Sequence, residues 1–499
     1  MMHSTRRGRR SAADRVVEEL KTADRFPVGD PRRGAAQRRV ARLVAADLSM
    51  ADDPRLAGIR AQLRRWARFA PHLLTDDQEP AIALDGRATI DEQLAALRVL
   101  DDDATTALSE ADAALRNLDA ATAVERQHAD VAAHAVTDRR APVSASVLGA
   151  LAACHLADDR LRGIDDWRTR FAVVQGTTPS TLAHLRDATR AANALAAQWW
   201  RVRSGVVGGE YFDRRVGVPA PAATLEEHAN EVAVALAGAV PTLAEAARRA
   251  SGRIVHGVDN QVVIEADGRI SVTVAHRATP RGSLMVAHEI GHALHALESR
   301  SPEPPGALVG ETVACWSSLM TGQAGIRGGA VASPGTEAWV MALALGDTLV
   351  EELFVSAAVS AFEDAVYASA ASGRTVTADE LDGAWLRAHR NLMADAVVVP
   401  DLVGSGWARL SALATDPGHA FSYVWATVLA LAMYARHGHD EHGVVARAIR
   451  AGGVEADEFT ALLGFDGDEW IALGLSALAA ELSRLGQLVC SGTASLATG

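Results

Sequence analysis

From about residue 11 to residue 200, apolar positions return every three to four residues in one segment after another. That is the period of an amphipathic helix. Thr89 with Glu92, and further on Thr224 with Glu227, have the spacing of helix-starting capping boxes. Breaks fall at 76–89, 139–145 and 175–181. Residues 224–250 predict another helix or helix pair. The pattern then changes. In QVVIEADGRISVTVAH, residues 261–276, apolar and polar residues alternate around Asp267-Gly268, which predicts a β-hairpin. It is the only strong strand signal in the chain, and 270–276 is expected to be its exposed edge. Helical periodicity resumes at Leu284 and runs to about 485, with a further capping box at Thr377 and Glu380. The small polar residues of 486–499 predict a flexible tail. The expected fold is mainly α, with one small sheet.

Composition changes this picture only a little. Nearly half of the 499 residues are hydrophobic, enough for a full core. The formal net charge of -13 argues against a nucleic-acid partner, which would want a basic face. Lys21 is the single lysine. Cys154, Cys315 and Cys490 are odd in number and far apart, so neither a disulfide framework nor a thiolate metal site is expected, and a cytoplasmic location fits. Residues 1–10 read as a disordered basic arm rather than a secretory signal, since no apolar stretch follows them. The run at 421–435 is too short to span a bilayer, so no membrane partner is expected.

The chemistry concentrates in His288-Glu289-Ile290-Gly291-His292. On a helix, His288 and His292 lie one turn apart on one face and can bind one ion. Glu289 lies about 100° round, able to reach a water at the metal without ligating it. A catalytic zinc wants a third protein ligand and an open position. Glu298 would be about 15 Å along the helix from His288, too far to serve. Glu303 sits in a Pro-rich stretch that fixes nothing. Glu311 opens a new apolar helix, VGETVACWSSLM, which can return against the first and face the histidines. It is the expected third ligand. His295 is expected to contact substrate or support the ligands, the alternative being an ordinary helix-face histidine.

HEIGHALH followed by GETVACWSSLM resembles the thimet oligopeptidase and oligoendopeptidase F family of zinc peptidases, the oligoendopeptidase F branch more closely. Residues 211–236, 270–289 and 373–390, then GWARL and FSYVWAT, are similar to further family segments in the same order. The likeness covers roughly 180–435. It implies a zincin-type helical metallopeptidase with a small β-sheet beside the active-site helix and a deep substrate channel. Residues 11–178 would be an N-terminal helical region and 179–485 the catalytic domain. One Zn²⁺ per chain would be held by His288, His292 and Glu311, with Glu289 as general base. Tyr423 is in register with a family tyrosine that meets the substrate carbonyl. His419 is the nearby histidine, closer to that tyrosine than the pattern wants, and a second tyrosine is replaced by Phe421. The substrates would be short unstructured peptides, paired by backbone to the strand carrying Val272 and Val274. The alternatives are a catalytically impaired peptide-binding protein of the same fold, or a structural zinc protein.

Overall fold

The structure, a computed structural model, describes residues 12–25, 31–46, isolated positions between 56 and 70, and most of 123–498. Within that last stretch, 209–210, 212–217, 219–222, 258–259, 265–268, 300–305, 329–337, 411–412, 414–415, 439 and 441 lie outside the description. So do the expected basic arm, the Thr89–Glu92 cap, the Asp267-Gly268 turn and Glu303.

Helices dominate the described residues. In chain order they are α1 (Ala12–Asp24), α2 (Pro31–Ala46), α3 (Ala123–Leu161), α4 (Trp167–Gln175), α5 (Pro179–Ala191), α6 (Ala194–Val207), α7 (Leu225–Ala239) and α8 (Ala244–Ser251). Three strands follow: β1 (Ile254–His256), β2 (Gln261–Ile264) and β3 (Ile270–Val274). Then come α9 (Pro280–Glu298), α10 (Ala307–Ile326) and α11 (Ala338–Val350). A π-helical turn, Glu351–Val355, leads into α12 (Ser356–Ala371). The chain finishes with α13 (Ala378–Met393), α14 (His419–His437), α15 (Val444–Ala451), α16 (Ala456–Leu462) and α17 (Glu469–Thr498). The capping boxes expected at Thr224–Glu227 and Thr377–Glu380 both form, each closing the first turn of its helix.

The main core runs from Phe171 to Val489 and has α10 at its centre. This helix is buried on every side and touches α7, α9, α11 and α14. A second cluster packs α3, through Ala141, Ala145, Leu148 and Ala152, against Phe362, Trp385 and Trp407. The stretch of α3 from Thr137 to Arg160 has the length and apolarity of a membrane-crossing helix, and here one of its faces serves this core.

Two expectations need correction. The sheet has the order β1-β3-β2, with β1 parallel and β2 antiparallel to β3. The hairpin therefore forms, but β3 is its central strand, not an edge. The three residues of β1 are too few to show alternation in sequence, yet they occupy the side of β3 that looked free. The expected tail is also helix, since α17 continues to Thr498. Its small residues serve packing: a Cβ at Gly492 would lie 2.2 Å from Cγ of Trp339. Val489 is fully buried.

Candidate active site

Helix α9 is fixed at its start by Pro280 in the first turn and by Thr279, whose side chain accepts the Gly282 N–H at 3.1 Å. Leu284, Val286, Ala287, Ile290, Ala293 and Leu294 anchor it in the core. Helix α10 returns antiparallel against it, so that Ser318 donates to the Leu284 carbonyl while Gly291 faces Ala314 and Ser317. Gly291 sets the spacing of the two helices. A Cβ there would sit 2.7 Å from the Ala314 Cα and 2.9 Å from the Ser317 Cβ, closer than real Cβ contacts. The close approach brings Glu311 onto the two histidines.

The result is a compact donor set. His288 Nε2 and His292 Nε2 are 3.2 Å apart, and Glu311 Oε2 is 3.2 Å from the first and 3.7 Å from the second. A tetrahedral zinc with bonds of about 2.0–2.1 Å separates its ligand atoms by roughly 3.3 Å. The triangle of donors fits that requirement. Among the described residues, Glu311 Oε2 is also buried without a hydrogen bond of good geometry, the condition of a lone pair that a cation would satisfy.

The charges are strongly biased by burial and by one another. Burial opposes charge on His288, but the Glu311 carboxylate, helped by Glu352 and Glu289, lifts its pKa to about 9. His292 is lowered to about 4, by burial first and then by His288 and His419. Burial would raise Glu311, but the charge of His292 and the contact with His288 bring it down to about 2. Glu289 is raised to about 7 by burial and by Glu311, against the pull of His288.

Helix α14 supplies the other wall. The Tyr423 ring stacks near His288, with centroids 6.0 Å apart, and meets His419 edge-on at 5.3 Å. Burial, followed by Glu311 and neighbouring acidic groups, raises the Tyr423 pKa and keeps its phenol protonated. His419 Nδ1 lies 3.3 Å from Asp416, which raises the histidine's pKa against partial burial. Gly418, just before His419, has a φ of 86° and gives its N–H to the buried Glu363. A Cβ on Gly418 would lie 2.4 Å from Phe171, so this corner requires glycine on both counts. Phe421 is buried edge-on against Phe171, as core.

The structure thus gathers His288, Glu289, His292, Glu311, Tyr423 and His419. Three other candidates are not brought to the site as substrate contacts. His295 has no exposed surface, and among the described residues neither of its ring nitrogens has a hydrogen-bond partner, so it is a core histidine held neutral, its pKa lowered to about 4 chiefly by burial. Val272 and Val274 are fully buried in a strand paired on both sides. Glu298, rejected on distance, instead pairs with Arg249 and Arg450. Two residues were missed. Glu352, from the π-helical turn, and Cys315 lie with His288 in a second close group of ligand atoms. The only hint in sequence is a pair of adjacent glutamates, Glu351-Glu352, inside an apolar run.

No protein-family model matches the chain, and no curated protein matches it by sequence. Solved structures do match. The oligoendopeptidase F of Enterococcus faecium aligns with a TM-score of 0.66 at 15% identity, over 96% of this chain and 91% of its own. PZ peptidase A, solved with an inhibitor, aligns with a TM-score of 0.66 at 14% identity, over 95% and 97%. The expected mainly helical fold with its small sheet is therefore the fold observed, and this chain shares it with those peptidases almost end to end.

Proposed function

We propose that this chain is a zinc-dependent oligopeptidase that hydrolyses short, unstructured peptides. The observation that carries the reading is the triangle of His288, His292 and Glu311 donors, with Glu289 beside it on the same helix. The shared fold supports it, since the two similar structures are named as peptidases. Bound zinc would supply Lewis acidity at the attacking water and the scissile carbonyl. Glu289 accepts the proton of that water on a carboxylate oxygen and delivers it to the leaving amine nitrogen. Tyr423, held as a phenol, donates to the oxygen on which negative charge develops. His419, whose pKa the Asp416 carboxylate raises, stands edge-on to Tyr423 beside it.

The test combines zinc analysis with a quenched-fluorescent peptide library. We expect about one zinc per chain and cleavage of peptides of about 5–20 residues, with native folded proteins left intact. Glu289→Gln keeps the metal ligands and removes the base, so zinc content should hold while turnover falls about 10²–10⁴-fold. Full activity in Glu289→Gln would sink the mechanism. Tight peptide binding by the zinc-loaded wild type without any turnover would favour the impaired binding protein instead.

A further inference from the structure

His288 stands between two carboxylates. On one side, Glu311 Oε2 lies 3.2 Å from its Nε2. On the other, Glu352 Oε1 lies 3.9 Å from its Nδ1. Glu352 is half-buried beside the Cys315 thiol, which burial keeps protonated. The ligating atoms of His288, Cys315 and Glu352 all fall within 4.8 Å of one another. The chain reaches this point through the π-helical turn Glu351–Val355, a feature that costs helix stability and recurs at functional sites. The neighbouring residue of the same turn, Glu351, forms an ion pair with Arg281, also on α9. Successive carboxylates of one irregular turn thus both engage the helix that carries the histidines.

A neutral imidazole has one ring proton. A histidine that ligates through Nε2 must carry that proton on Nδ1, where an acceptor fixes the tautomer and the ring plane. We propose that Glu352 is the positioning residue of the metal centre, holding the proton of His288 on Nδ1 and so presenting Nε2 bare, with Cys315 anchoring the carboxylate. The inference rests on the proposed function, since it concerns how that site is held ready. It also accounts for a half-buried glutamate and a buried cysteine that the peptidase chemistry leaves unused.

The experiment measures zinc affinity of the full-length chain by chelator competition, and the visible absorption of the cobalt-loaded protein. Glu352→Ala should weaken zinc binding by about 10–100-fold and shift the cobalt spectrum. Glu352→Gln keeps an acceptor oxygen of the same reach, so it should lose less affinity and keep a near-native spectrum. Cys315→Ala, close in size to the native residue, should fall between wild type and Glu352→Ala. It also serves as the test if Glu352→Ala does not fold. Melting of the metal-stripped variants separates general destabilisation from a specific loss of affinity. Equal zinc affinity in the wild type and the folded variants would overturn the positioning role. Two zinc ions per wild-type chain, one of them lost in Cys315→Ala, would overturn it in favour of two metals sharing His288. A wild type that binds no zinc would remove the proposed function itself, and this inference with it.

Discussion

Tyr423 stacks near the His288 ring and meets His419 edge-on, on a helix whose buried residues are mostly apolar. A fixed phenol at this point acts on charge that exists only as the peptide bond breaks, so its loss should appear in kcat more than in KM. Tyr423→Phe keeps the ring contacts and deletes one hydroxyl. We expect normal folding, normal zinc content and a kcat lowered at least about tenfold, on the scale set by lost oxyanion donors. Unchanged kcat with zinc bound would reduce Tyr423 to packing and turn attention to His419. Single residues were legible in sequence where one helix fixed their relations. His288, Glu289 and His292 follow from the 100° turn per residue, and Glu311 from a return helix of the right length. His419 was legible only as a nearby histidine, because its place depends on the Gly418 corner and on Asp416. Glu352 was not legible, because its link to His288 exists only once α9, α10 and the π-helical turn have packed.

Among the elements, the α9–α10 pair determines whether the donor atoms of His288, His292 and Glu311 meet at all. Gly291 lets the two backbones touch, so Gly291→Ala must push them apart or distort one of them. Overpacking of this kind costs about 1–3 kcal/mol. We expect a lower melting temperature and weaker zinc binding, even though no ligand is changed. Native zinc affinity in a folded Gly291→Ala protein would show that Glu311 reaches the histidines without the close approach. A second element-scale junction joins α7 to the segment after β3. There His276 Nε2 and His228 Nδ1 are 3.0 Å apart. Burial first, then His276, lowers the pKa of His228 to about 4, and burial with His256 lowers His276 as well. Both groups therefore favour the neutral form when folded. Between the folded value of about 4 and the unfolded value of 6.5, the unfolded chain binds more protons, so stability is full above 6.5 and is lost as pH falls through this window. His228→Gln cannot titrate. Its melting temperature should decline less steeply than that of the wild type between pH 6.5 and 4.5, a range chosen from the His228 shift. Parallel declines would remove the pair from the acid response. Helices and capping boxes were legible because their signals are local. The rank of β3 within the sheet was not, since it depends on a three-residue strand that carries no periodicity. The helical tail was misread for a related reason: small residues look like flexible chain until the surface they fit, here Trp339, is known.

For the whole molecule, the mainly helical architecture was readable from periodicity, and its likeness to solved peptidases extends over nearly the full chain at only 14–15% identity. One property belongs to no single element. The chain carries a formal net charge of -13, with 62 acidic residues against 49 basic ones, so the field an approaching ligand first meets is negative. A field of one sign, focused by a low-dielectric wall, raises the encounter rate of ligands of the opposite sign. Its reach is about 30 Å at 0.01 M salt but only about 8 Å at 0.15 M. Two peptides with the same scissile segment, one ending in arginines and one in aspartates, should therefore be cleaved with different kcat/KM at low salt. The cationic peptide should lead, and its advantage should shrink as salt rises from about 0.01 M to 0.15 M. The effect belongs in kcat/KM, because the field acts before the peptide is seated and leaves the bound complex nearly unchanged. A preference of equal size at both salt concentrations would mean that local side-chain contacts, not the field of the molecule, choose the peptide.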